Sequence, residues 1–338
     1  MNAALWIIGL GAVLSTAAST GYASDDASAL RFEADLEIGL ETVYASDDPD
    51  EEYNEAYVSG EASIEYAFSE DILAFAQMSI ESVTDAEGTR AFQDLGAYIS
   101  EIGLFFDFEP VHLTLGKFSP SFGVANDALP GFFGADFVDE YEVEEVLGLS
   151  IEAELGVGTF GAAVFYADDT RLSESWGRKR GRNMVSDGGV GNTGKLNNFT
   201  LTYDLEIEET TLHAGFRHLS EGEGDEEAER GAVLGFAHEV SDAIEIVGEV
   251  AHFSHFEGSS EDAIFGALGL SYGTDFATYS ASVTRREIEG LGTDTLFSAG
   301  FDKELSDHSS FTAGYAFTEE EGVESHRLAV AFVFEFGG

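Results

Sequence analysis

The chain lacks most of what a nucleic-acid binder or an intracellular enzyme is built from. It has no cysteine, which excludes a disulfide scaffold and thiolate chemistry and leaves the redox compartment open. Lys and Arg together number 15 against 65 Asp and Glu, a formal charge of -50. No basic face is available to meet phosphates, so nucleic acid is excluded as a partner. The 8 histidines show no ligand spacing, so no metal site and no cofactor are expected. No nucleophile–base–orienter constellation is present either, which argues against an enzyme. Beyond the N-terminus, no stretch is apolar enough for a transmembrane helix.

What is present begins with "MNAALWIIGLGAVLSTAASTGYAS", an uncharged start with an apolar core over residues 4–14 and small residues after it. Gly21-Tyr22-Ala23 fits a signal-peptidase site, so residues 1–23 are expected to be a signal peptide and 24–338 the exported domain. The apolar run is too short for a retained span.

The exported part alternates apolar and polar residues. "RFEADLEIGLETVY" (31–44) sets Phe32, Ala34, Leu36, Ile38 and Leu40 on one face, and Arg31, Glu33, Asp35, Glu37 and Glu41 on the other. That period of two marks a strand. Similar segments recur at 55–68, 72–83, 94–108, 111–118, 145–155, 159–167 and 197–205, then at 210–219, 231–240, 243–254, 262–272, 276–286, 294–304, 309–318 and 325–336, which makes sixteen. Short connections such as "SED" (69–71) and "EP" (109–110) alternate with longer polar ones, the last two of them 287–293 and 319–324. Turns at one rim and loops at the other describe an all-β, antiparallel up-and-down barrel. Aromatic residues near strand ends on the apolar faces, among them Tyr44, Tyr66, Phe68, Phe108, Phe160, Tyr166, Tyr203, Phe317 and Phe336, suit the girdles of a transmembrane barrel. A soluble sandwich or lipocalin-like barrel would need more large aliphatic residues and fewer charges on its second face. Sixteen strands leave an aqueous channel, and the charged inner faces match one.

One segment interrupts the pattern. "GKFSPSFGVANDALPGFFGADFVDEYEVEEV" (116–146) contains a connection of about two dozen residues rich in Phe, Gly and acids. Loops of that length are functional or disordered, and this one is too apolar for disorder. Phe122, Leu129, Phe132, Phe133 and Phe137 need a surface to pack on, which suggests a loop folded inward against the barrel wall. The run resembles the strand-5/loop-3 region of the Gram-negative outer-membrane general porins, the sixteen-stranded trimeric porins. "PGFFGAD" (130–136) is similar to their Pro-x-Phe-Gly-Gly-Asp motif, with one additional residue and Ala135 for the second glycine.

The resemblance implies a constriction at 119–144, anchored by Pro130, Phe132, Phe133 and Gly134, with Asp127, Asp136, Asp139, Glu140 and Glu142 as its acidic side. It implies a facing basic wall, for which parity and position offer Arg31, Lys117, Arg217 and Arg286. It further implies a homotrimer in the cell outer membrane, lipid and lipopolysaccharide as neighbours, and assistance from the barrel-assembly machinery. "RLAVAFVFEF" resembles the family's assembly signal, with Phe336 as its phenylalanine, followed here by Gly337 and Gly338.

Other motifs carry less. "GGVGNTGKL" (188–196) is a near P-loop, but Leu196 stands where Mg²⁺ needs Ser or Thr. "WGRKRGR" (176–182) is the one basic cluster, facing lipopolysaccharide phosphates, a neighbouring subunit or plain solvent. "SDDPDEEYNE" (46–55) and "SEGEGDEEAER" (220–230) lack the EF-hand ligand order. The expected function is a water-filled channel for ions and small hydrophilic solutes, cation-preferring because of inward acids such as Glu33, Glu61, Glu101 and Glu152. A substrate-specific uptake channel and a structural or adhesive barrel are the alternatives. High-salt solvation is the competing source of the acidity.

Overall fold

The computed structural model describes residues 29–337 except Asp85, Glu87 and Lys179. The expected signal peptide lies outside these residues. The alternating segments form sixteen long strands. The first four hairpins pair β1 (Leu30–Ser46) with β2 (Asn54–Ser69), β3 (Ile72–Ser82) with β4 (Leu95–Phe108), β5 (Val111–Phe118) with β6 (Val146–Glu154), and β7 (Gly158–Ala167) with β8 (Asn198–Ile207). The second half comprises β9 (Thr210–Leu219), β10 (Glu229–Ser241), β11 (Ile244–Ser254) and β12 (Ala263–Gly273). It ends with β13 (Thr278–Ile288), β14 (Gly292–Ser306), β15 (Ser309–Glu320) and β16 (Val323–Gly337). Two short strands, Thr89–Ala91 and Trp176–Gly177, add to the same sheet from loops.

All sixteen pair antiparallel with their neighbours, and β1 closes the ring by pairing with β2 on one side and β16 on the other. Closure leaves no sheet edge, which is the condition for a sheet to cross a bilayer. The faces divide as the alternation requires. Leu40, Leu234 and Val250 point outward with 57%, 69% and 59% of their surface exposed. Inward, Asp35 stands directly opposite Glu61, and Glu239 opposite Glu245. Like charges so placed repel unless water surrounds them, so the greasy face is outside and the wet face inside. The barrel is therefore a membrane-spanning one.

Outward aromatic rings gather at both rims. Phe276, Phe301, Tyr279, Phe311 and Phe332 form a chain of ring contacts on the turn side, with the Lys303 ammonium 3.5 Å from the Phe276 ring. Tyr44, His326, Tyr315 and Phe317 cluster on the loop side. One irregularity matters for the lumen. Between Gln77 and Met78 the register with β4 slips, so that Gln77 faces Glu101 while Ser79 faces Tyr98. The bulge keeps both Tyr98 and Glu101 on the inner face.

The last two connections differ from expectation. Strands β13 to β16 run past their predicted ends, leaving only residues 289–291 and 321–322 as turns. Glu321 and Gly322 both adopt positive φ, 50° and 83°, which makes a tight primed turn that matches the strand twist. Long loops thus cluster at one part of the rim.

Candidate functional site

After Phe118 the chain leaves the wall, crosses the lumen, lies along the inner faces of β9 to β16, and returns at Val146. Three apolar clusters hold it, the one at its root packing Phe118, Val143 and Val146 with Ala163, Phe165 and Leu219. Phe122, Ala125, Leu129, Val138 and Tyr141 pack with Val233, Ala251, Phe253 and Phe265. Phe133 and Phe137 pack with Leu296, Ala316 and Ala329. The wall makes room through inward glycines. A Cβ on Gly269 would lie 2.4 Å from Pro130 Cδ, and one on Gly314 would lie 2.6 Å from Phe132 Cβ. Gly134 has a related reason, since a Cβ there would stand 2.6 Å from the Pro130 carbonyl oxygen. Pro130, Phe132 and Phe133 thus lie at the loop–wall contact, whereas Gly134 serves a tight bend within the loop itself.

Buried polar groups fix the loop between these contacts. Glu249 on β11, 3% exposed, accepts from the backbone N–H of Val124 at 2.7 Å and of Ala125 at 3.2 Å, and from the Tyr141 hydroxyl. A single carboxylate therefore ties the two ends of the loop together. Arg217, 3% exposed, pairs with Glu229 at 2.6 Å, donates to the Tyr141 carbonyl, and lies 4.7 and 4.6 Å from the Phe122 and Phe253 rings. Arg286 binds Asp294 and Glu320, each at 2.8 Å, and also Glu140, with the Phe137 ring 4.8 Å away. Arg327 binds Asp136 and sits 4.3 Å from the Phe133 ring.

This arrangement differs from a basic wall facing the loop. Arg217 and Arg286 lie beneath the loop and hold it. Lys117 is at the loop's root, fully buried, 2.6 Å from Glu145 and 3.1 Å from Asp168. Arg31 stands at the turn end of β1, opposite Glu65 on β2 and away from the loop. The acids divide accordingly. Asp136 and Glu140 are paired with arginines, Asp127 and Asp139 are exposed, and Glu142 is half-buried. Phe336 faces outward on β16, 54% exposed and opposite Ala34.

The remaining passage runs between the free side of the loop and the wall of β2 to β8. Glu61, Glu101 and Glu152 line it from the wall, and Asp127, Glu142 and Glu144 from the loop. Neutral hydroxyls of Ser79, Ser150, Thr200 and Thr202 complete the wall. Burial, then the nearby Glu249, push the Glu142 carboxyl up to about 8. The same two causes raise the Tyr141 hydroxyl. Among the described residues, no His, Asp and Glu group is arranged to hold a metal.

Sequence reasoning missed Arg327, Glu229, Glu249 and the glycine seats. Parity alone places Arg327 inward, since Leu328 beside it faces lipid. What the loop does with each inward residue has no local signature.

No protein-family model matches the chain, and no curated protein matches it in sequence. Its fold has close counterparts among solved structures. OmpF of Salmonella typhi, in complex with daunomycin, superposes with a TM-score of 0.64 at 12% identity, covering 91% of this chain and 97% of that one. The outer membrane channel DcaP of Acinetobacter baumannii gives 0.61 at 11% identity, covering 91% and 96%. A porin variant from Rh. blastica gives 0.58 at 14% identity, covering 91% and 100%. The chain has the sixteen-stranded fold of the Gram-negative porins.

Proposed function

We propose that the protein is an outer-membrane channel through which ions and small hydrophilic solutes diffuse passively, with cations preferred. The reading rests on one observation. Both sides of the passage are carboxylate-lined, while Arg286 and Arg327, which bind the loop's Glu140 and Asp136, lie behind it. A wall of arginines facing a wall of acids would create a field across the pore with little net sign. Here the sign is negative from both directions, reduced on the loop side at neutral pH because burial and then the surrounding carboxylates push Glu142 up to about 8 and Glu144 up to about 7.

The size of the preference follows from distance and screening. Two unit charges ~4 Å apart interact by roughly 1 kcal/mol in bulk water and ~4 kcal/mol at an effective dielectric of 20. A narrow aqueous passage lies between these, which gives a cation-over-anion ratio on the order of ten at low salt, each factor of ten being about 1.4 kcal/mol. The Debye length shrinks from about 8 Å at physiological salt to about 3 Å at 1 M, so the ratio falls with salt. A homotrimer, lipopolysaccharide as a neighbour and Phe336 as an assembly signal belong to the same reading and are supported by the fold and the loop motif.

Reversal potentials across a planar bilayer under a KCl gradient test the channel. Cation-selective potentials that weaken with salt support it. An anion preference, or refolded barrels that never conduct, refute it.

A further inference from the structure

Where the loop leaves the wall, it leaves a slot. Strand β5 ends at Phe118, with Lys117 opposite Ile102, so residues 95–100 of β4 lack a neighbour from β5 on that side. Loop 168–197 fills the gap. Its Trp176–Gly177 strand pairs with Ala97 and Gly96, and the Arg178 N–H donates to the Leu95 carbonyl at 2.8 Å. From this seam Arg180 reaches the returning end of the inner loop. Its guanidinium makes two bonds of 2.7 Å to the Glu145 carboxylate and lies 3.9 Å from the centre of the Tyr98 ring. The fully buried Lys117 binds the same carboxylate from below at 2.6 Å.

Glu145 needs such holding. It adopts a φ of 51°, a left-handed conformation uncommon for a residue other than glycine. It is also the last residue before β6, where the loop rejoins the wall. The other arginines of the basic run are engaged elsewhere. Arg178 pairs with Asp94 at 3.4 Å, and Arg182 donates to the Asp169 carbonyl at 2.7 Å.

We propose that loop 168–197 is a latch for the inner loop: it seals the slot in the barrel wall, and Arg180 is a positioning residue that fixes the inner loop's C-terminal root through Glu145. A shared carboxylate held by a fork and an ammonium is a geometry that a single substitution uncouples. The latch deepens the channel reading, yet its first test does not require conduction.

The experiment is amide hydrogen exchange on the full chain refolded in detergent micelles, comparing wild type, Arg180→Gln, Tyr98→Leu and Arg182→Gln. Arg180→Gln is expected to speed exchange at least tenfold at Tyr141, Glu142 and Asp168, whose amides are bonded at the loop's root, together with residues 176–178. Tyr98→Leu shifts the same amides less, and Arg182→Gln leaves them unchanged. In bilayer recordings Arg180→Gln also raises the frequency of brief closures. Exchange at Tyr141 and Glu142 that stays at the wild-type rate in Arg180→Gln overturns the latch, whether or not 176–178 loosens. Wild-type barrels that never conduct would sink the channel reading, and the exchange result would still decide the latch.

Discussion

The two halves of the barrel use the same alternation for opposite purposes. Along β9 to β16 the inner face is dry where the loop lies, built from glycine, alanine, serine and buried phenylalanine, with Arg217, Arg286 and Arg327 spaced around it. Along β1 to β8 the inner face is wet and carries Glu33, Asp35, Glu37, Glu61, Glu101 and Glu152 with few compensating cations. Inward polarity therefore does not mean contact with the solute stream. Where the loop lies the charges are structural, held in ion pairs and hydrogen bonds within the wall and between loop and wall, and on the other half they remain free to act on whatever passes.

The comparison is broken most severely by removing a buried charge from the dry half. Arg217→Met leaves Glu229, 1% exposed, without its partner and the Tyr141 carbonyl without a donor. Breaking such a pair costs roughly 3–5 kcal/mol, which chemical unfolding in detergent should register. A loss below roughly 1 kcal/mol would mean that water already reaches this site. Filling a glycine seat has a smaller effect. Gly314→Val forces a side chain against Phe132, an overpacking cost of roughly 1–3 kcal/mol, and pushes the loop into the lumen so that conductance falls. Gly266→Val is the control, because a Cβ there meets nothing within 4 Å; equal behaviour of the two variants would deny the seat.

The boundary between the halves gives the gentlest test. Glu142 keeps its proton in the folded protein up to about 8, against an ordinary carboxyl value of 4.5, because of burial and then Glu249. The folded state therefore binds more protons than the unfolded chain between those values. Its stabilising contribution is complete below about 4.5, declines as pH rises, and is gone above about 8. Selectivity moves the other way, since ionisation adds a negative charge to the passage. Cation preference measured from pH 6 to 9 should rise in the wild type and stay flatter in Glu142→Gln. A wild-type profile as flat as that of the variant would contradict the assignment.

Much of this was legible in the residue order. Period-two alternation located all sixteen strands within a few residues, because lipid outside and water inside leave no other pattern for a closed ring. The inward loop was legible from its phenylalanines, which needed a surface. The roles of Arg217 and Arg286 were not. Parity showed that they face inward, but whether an inward arginine meets water or a loop depends on a segment some 75 to 150 residues away in the chain. Glu249 was hidden for the same reason: only the folded loop brings Val124, Ala125 and Tyr141 to one carboxylate. The turns at 289–291 and 321–322 were overestimated because polar residues continue the strands beyond the bilayer, where hydropathy no longer marks them.

The central claim is that the loop's paired acids are silent while the opposite wall sets the sign of the pore. Two double variants decide it, measured as reversal potentials in one KCl gradient: Asp136→Asn with Glu140→Gln, and Glu61→Gln with Glu101→Gln. The first pair should keep the cation preference of the wild type, and the second should lose most of it. The reverse result, with selectivity collapsing only when Asp136 and Glu140 are neutralised, would contradict the account.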